Sequence, residues 1–182
     1  MSEQEGVQAG SKGAGSPGQP VAGAAKGPSA SRMNRDFMSL ALEEARRALL
    51  RGEVPIGAVI VEPSSTRVIA AAGNRTEELC DPTAHAEVLA LRQAAGTRGS
   101  PRLPGCDLYV TLEPCAMCAA AISIARIRRL YFAAYDVKGG GVEHGPRIFT
   151  QPTCHHRPEV YGGFAQSEAE SLLRTFFRAR RL

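Results

Sequence analysis

Residues 83–93 read TAHAEVLALRQ. His85 and Glu87 are separated only by Ala86, at the mouth of an apolar run with helical spacing. Further along, LEPCAMC at 112–118 supplies Cys115 and Cys118. A CxxC by itself is ambiguous between a redox pair, half of a zinc knuckle and chance. A redox pair typically opens a helix after a strand, and this one does too. His85, at a second helix start, changes the reading. Zinc takes four tetrahedral positions, so three protein ligands leave one open for water, as catalysis requires. Cysteines at i and i+3 on one helical turn can both face one ion, and a helix N-terminus favours the thiolate form that binds metal. No fourth Cys or His falls at an obvious spacing to close a structural site.

Glu87 then has a different task. A carboxylate beside zinc-activated water, but not on the zinc, can take a proton and pass it on. Each residue also has a plainer explanation. His85 could cap a helix, Glu87 could complement a helix dipole, and the cysteines could be small core residues. The four together are harder to explain that way. His-x-Glu followed by Pro-Cys-x-x-Cys is the signature of the zinc-dependent nucleobase deaminases, and this chain resembles them on those residues. Cys80, Cys106 and Cys154 match no ligand spacing and read as core or loop residues. His155-His156 is not expected to hold a second metal, because adjacent residues seldom converge on one ion.

The elements that must position these groups follow from periodicity. NRDFMSLALEEARRALLRG, from Asn34, reads as a helix with Asn34 able to cap its first turn and Gly52 as its stop. PIGAVIVE and TRVIAAAGN read as strands joined by a turn at Pro63–Ser65. Thr83 is the expected N-cap of a helix running to about Ala95. CDLYVTLEP is a third strand, CAMCAAAISIAR a helix and IRRLYFAAY a fourth strand. Residues 136–165 are Gly- and Pro-rich and read as irregular, with room for one short element. SEAESLLRTFFRARR closes the chain as a helix, with Ser167 and Glu170 spaced as a capping box. Strand and helix alternate late in the chain, and the first two strands are close enough for a hairpin. The expected class is α/β, with a mixed central sheet and helices on both faces.

Composition sets outer bounds. A chain of 182 residues, 43% hydrophobic and 22% charged, suits one ordinary globular domain. No run approaches the roughly 20 apolar residues of a membrane span, and no signal-peptide core is visible, so the expected compartment is the cytoplasm. Five cysteines in such a chain argue for thiolate or metal chemistry rather than a disulfide framework. Residues 1–32 are rich in Gly, Ala, Ser and Pro and read as a disordered tail. Residues 33–182 form the expected domain, and Met33 is a candidate second start. The net charge is +4, and from residue 121 onward ten Lys/Arg face five Asp/Glu. A basic face suits a polyanion, although cations at helix ends are also common without one.

From about residue 34 the chain resembles the bacterial tRNA-specific adenosine deaminases. The stretches that carry this are EVPIGAV (53–59), GNR (73–75), DPTAHAE (81–87), CDLYVTLEPCAMC (106–118), RIRRLYFAAYDVKGG (126–140) and FFRARR (176–181). The resemblance implies a three-layer α/β/α cytidine-deaminase-like fold, a homodimer and one zinc per subunit. It implies hydrolytic conversion of adenosine to inosine at the wobble position (34) of tRNA, through zinc-activated hydroxide. His85, Cys115 and Cys118 would be the ligands and Glu87 the proton shuttle. Asn74 would hydrogen-bond the flipped base, Val54 and Pro55 would wall its pocket, and Asp136 would lie near the adjoining ribose or backbone. The Arg126–Arg129 run and the C-terminal helix would contact phosphates of the anticodon loop. KGG at 138–140 and Gln151-Pro152 depart from the family pattern, on the RNA side rather than the zinc side. Three rivals remain open on the residues alone. They are a zinc deaminase of free guanine, cytosine or a nucleoside, a structural zinc module that binds RNA, and a thiol–disulfide protein.

Overall fold

In a computed structural model, which describes residues 28–180, the chain folds as α1 (Pro28–Leu50), β1 (Gly57–Glu62), β2 (Arg67–Gly73), α2 (Ala86–Arg98), β3 (Asp107–Leu112), α3 (Ala116–Ile124), β4 (Arg129–Ala134), β5 (Glu159–Tyr161) and α4 (Gln166–Ala179). A single 3-10 turn, Ile148–Thr150, precedes β5. Most of the segment read as a tail lies outside the described residues.

The five strands are ordered β2-β1-β3-β4-β5. β1 is antiparallel to β2 and β3, whereas β3, β4 and β5 run parallel. This is the mixed sheet expected from the hairpin and the later strand–helix alternation. Two helices cover each face. α1 and α4 pack on one side, and α2 and α3 on the other.

Side-chain alternation sorts the core into two layers. Ala58, Ile60, Leu108, Val110, Leu130 and Phe132 point toward α2 and α3. Val59, Val61, Tyr109 and Tyr131 point the other way, toward Phe37, Met38 and Leu42 of α1. Because both faces are covered, each central strand reads as a continuous apolar run rather than an alternating one. Tyr109, Tyr131 and Tyr161 share one register and stack across β3, β4 and β5, with ring centroids 4.5 Å and 5.0 Å apart. These match the spacing of neighbouring strands. Close helix–sheet approach is fixed at Gly57, where a Cβ would lie 2.0 Å from the Ala41 carbonyl oxygen.

Several local expectations are corrected. Asn34 lies inside α1, and its Oδ1 accepts the Tyr109 hydroxyl instead of capping a first turn. Thr83 does not cap α2. Its amide and hydroxyl both donate to Asp81 Oδ1, at 2.8 Å and 2.7 Å, and His85 is the N-cap. The capping box at Ser167 and Glu170 does not form. α4 starts earlier, after Ala165 in a left-handed conformation, and Glu170 pairs with Gln166 and Arg174. No helix among the described residues is long and apolar enough to cross a membrane.

Candidate active site

Two helix starts meet at the site. His85 is the N-cap of α2 and Cys115 the N-cap of α3, both with extended backbone and neither using its side chain as a cap. Their side chains are thereby left to face each other. His85 Nδ1 lies 3.7 Å from Cys115 Sγ and 3.5 Å from Cys118 Sγ. Zinc–sulfur bonds of about 2.3 Å and zinc–nitrogen bonds of about 2.0–2.1 Å at tetrahedral angles put nitrogen and sulfur roughly 3.6 Å apart. Both nitrogen–sulfur separations therefore already match the edges of a zinc tetrahedron, and all three donor atoms lie within 4.8 Å of one another. They form the one such ligand group among the described residues.

The electrostatics fit a cation. A hydrogen bond from Cys118 lowers the Cys115 pKa to about 4, against the cost of burial. The same contact, with burial, raises the Cys118 pKa. The contact with Cys115 raises the pKa of His85. Positive charge is thus favoured among these three side chains, whether it comes as a proton or as a metal.

Glu87, in the first turn of α2, is 4% exposed. Burial raises its pKa. Its Oε2 is the one buried side-chain oxygen or nitrogen without a hydrogen-bond partner among the described residues. A buried acceptor left without a partner costs about 1–3 kcal/mol and calls for an explanation. A water or substrate atom at the metal would supply the missing partner.

Of the remaining expected residues, Asn74 is tied to this centre through its neighbour's backbone. The Arg75 amide donates to the Ala84 carbonyl at 3.1 Å, tying Asn74 and its neighbours to the residue before His85. Asn74 is buried, and its Nδ2 donates to Glu53 Oε2 and Thr76 Oγ1, both at 3.0 Å. Pro55 is buried and Val54 half-buried. Val54 lines a cavity of about 360 Å³ with Leu112, Tyr135, Asp136, Lys138 and Phe177. Asp136 is partly committed, since its Oδ1 accepts the amides of Lys138 and Gly139. A larger groove, about 550 Å³, opens beside β2 between Glu44, Arg51, Arg75 and Gln93 and holds none of the metal-ligand candidates.

The expected phosphate contacts divide. Arg128 forks onto Asp107 with two bonds of 2.8 Å, and Arg129 pairs with Glu159 at 2.9 Å. Both stand at the N-terminal ends of the parallel strands, whereas Cys115 follows the C-terminal end of β3. Within this chain they brace the sheet and do not face the metal site. On α4, Phe176 is buried and Phe177 is 47% exposed. Phe177, Arg174 and Arg178 line a groove with Leu173. His156 is held by Nε2 against the Ile127 carbonyl at 2.6 Å, and Cys154 packs on Ser123. Cys106 is buried and Cys80 exposed.

Two carboxylates escaped the sequence reading. Glu53, 1% exposed, binds Asn74, Thr76 and the Glu78 amide. Glu113 binds a loop described below. Burial alone would raise both pKa values, but hydrogen bonds to each outweigh it and lower them. For Glu53 the sign gives a prediction. A carboxyl whose folded pKa lies below its ordinary 4.5 stabilises the fold above that pH. The contribution fades as pH falls through the folded value. The stability advantage of wild type over Glu53→Gln should therefore shrink on acidification from about pH 6 to about pH 3. Denaturant midpoints across that range check it, and a constant gap would remove Glu53 from the acid response.

Comparison with known proteins agrees with this geometry. Residues 31–134 match the cytidine and deoxycytidylate deaminase zinc-binding region. The tRNA-specific adenosine deaminase of Agrobacterium fabrum is 64% identical over 146 residues, 80% of this chain and 95% of that protein. A solved structure from a study of A-to-I editing by tRNA:A34 deaminases at the wobble position superposes with a TM-score of 0.74. It is 64% identical and covers 76% of this chain and 99% of its own. Guanine deaminase from Bacillus subtilis is more distant, at 30% identity and a TM-score of 0.55, over 81% of this chain and 93% of that one. The chain belongs to the zinc-binding cytidine and deoxycytidylate deaminase family, among its tRNA-specific adenosine deaminases.

Proposed function

We propose that this protein hydrolyses adenosine to inosine and ammonia at the wobble position of tRNA, using one zinc per subunit held by His85, Cys115 and Cys118. The observation that carries the chemistry is the three-donor cluster with the unpaired oxygen of Glu87 beside it. The carrier is supported by the 64% identity to a tRNA-specific adenosine deaminase. Zinc, when bound, supplies Lewis acidity and makes hydroxide available near neutral pH.

Glu87 does the proton work. Its carboxylate accepts the proton of the attacking water and delivers it to N1 of the adenine ring as oxygen adds at C6. It then assists proton transfer to the exocyclic nitrogen. The C6–N6 bond breaks, ammonia leaves and C6 keeps the water's oxygen. Burial suits this cycle by raising the pKa of Glu87, which favours its protonated form. Asn74, anchored by Glu53, holds the base, with Val54 and Pro55 as the pocket wall and Asp136 beside the adjoining nucleotide. A base must leave its stack to enter, which is easiest in a single-stranded anticodon loop. Exposed Phe177 with Arg174 and Arg178 offers stacking and phosphate contacts on one side of that path.

We assign the deaminase domain to residues 33–182 and the working place to the cytoplasm. We also assign a homodimer. Met117 and Ile124 leave an apolar stripe on the outer face of α3, with Ile124 71% exposed.

Asn74→Ala should lower kcat/KM about tenfold, the worth of one hydrogen bond, with zinc content unchanged. Normal rates at subsaturating RNA would take Asn74 out of the base pocket. A competition assay tests the reading as a whole. An anticodon stem-loop with adenosine at position 34 should be deaminated in the presence of excess guanine, cytosine and their nucleosides. Preferential turnover of a free base or nucleoside would move the protein to the alternative reading.

A further inference from the structure

The loop after β4 is built around a carboxylate that the chemistry above does not use. Glu113 follows β3, two residues before Cys115, and its side chain is fully buried. Its Oε1 accepts the amides of Val142, Glu143 and His144, at 3.3, 2.8 and 2.9 Å. Successive backbone N–H groups around one oxygen form an anion-binding nest, and here the anion is the chain's own side chain. Oε2 accepts the Asp136 amide at 3.1 Å and meets His144 Nδ1 at 2.7 Å. An ionised carboxylate only accepts, so Nδ1 carries the proton in that contact.

The loop also lies against the turn that carries the metal ligand. The Gly141 amide donates to the Pro114 carbonyl at 2.8 Å, and Gly140 bridges to Cys115. A Cβ on Gly141 would stand 2.6 Å from the Ala116 nitrogen, so the two backbones touch. The start of the same segment lines a cavity, where Tyr135, Asp136 and Lys138 join Val54, Leu112 and Phe177. Tyr135 rests edge-on against His144, closing the circuit.

We propose that Glu113 is a positioning residue for the nucleic-acid substrate. By gathering the amides of residues 136 and 142–144, it fixes Tyr135, Asp136 and Lys138 beside the metal-ligand turn. The identity of the substrate rests on the tRNA reading above. Glu113→Gln is the informative change. It keeps the size and keeps an acceptor for the 142–144 amides. It also turns a donor toward the Asp136 amide, and two facing donors cannot bond.

The expected result is retained zinc and a KM for the stem-loop about tenfold higher, with a much smaller fall in kcat. Amide hydrogen exchange should quicken across 136–144 and stay unchanged in α2 and β3. His144→Ala removes one contact of the five and should give a weaker form of the same pattern, which keeps the proposal open to test if Glu113→Gln fails to fold. Unchanged KM in an active variant would overturn the proposal. So would a fall in kcat that tracks zinc loss, or unaltered exchange in the loop. Exchange needs no substrate. A wild type that makes no inosine on the stem-loop would refute the tRNA reading, whereas an unaltered loop in the variant would refute the role of Glu113.

Discussion

Glu87→Ala is expected to lower turnover by about 10²–10⁴, or more, while zinc content and fold are kept. The lower bound is the usual worth of a positioned general acid–base, and this carboxyl serves more than one proton transfer in each cycle. Stability should not suffer, because Oε2 has no partner among the described residues and the carboxyl is buried. Relieved desolvation offsets the cavity left by truncation, so the variant should unfold near the wild-type denaturant concentration. Glu87→Gln separates shape from proton transfer. It fills the same space, cannot shuttle a proton and should be nearly as inactive as the alanine variant. Metal analysis, a denaturation curve and single-turnover rates check the set. A Glu87→Ala protein that turns over at even a tenth of the wild-type rate would hand the proton work to another residue.

Cys115→Ala is expected to do the opposite, removing zinc and stability together. His85 Nδ1 stands about one tetrahedral edge from each sulfur, and two donors cannot hold the ion as three do. Zinc that binds only the folded chain stabilises it by about 4 kcal/mol when free zinc exceeds Kd roughly 1,000-fold. That contribution should vanish in Cys115→Ala and in His85→Ala. Chelator should destabilise wild type to a similar level and leave the variants unmoved. Acid should release the metal from wild type as the ligands take up protons. Full zinc occupancy in Cys115→Ala would contradict the ligand assignment.

The features carried by local pattern were legible in the sequence. β-Branched runs marked β1 and β3, and the CxxC and His-x-Glu spacings marked two helix starts that the fold brings face to face. Features set by distant partners were not. β5 has three residues, too few for a period, and exists because the edge of β4 offers hydrogen bonds. Arg128 and Arg129 looked like a phosphate-binding run, but Asp107 and Glu159 claim them from elsewhere in the chain. Thr83 had the chemistry of a cap and spent it on Asp81, which left His85 at the helix mouth. Glu53, in the loop between α1 and β1, and Glu113, just after β3, sat in plain view. Their roles depend on amides 25 and 29–31 residues away, which no local window contains.

The central claim is that zinc, held by His85, Cys115 and Cys118, and Glu87 together convert one tRNA adenosine to inosine. The most direct test incubates an anticodon stem-loop bearing adenosine at position 34 with zinc-loaded wild type and with zinc-loaded Glu87→Ala, and reads inosine at that nucleotide. The account predicts inosine at position 34 with wild type and, over the same time, at least about a hundredfold less with the variant. Wild-type protein that carries zinc and leaves the adenosine intact would contradict it.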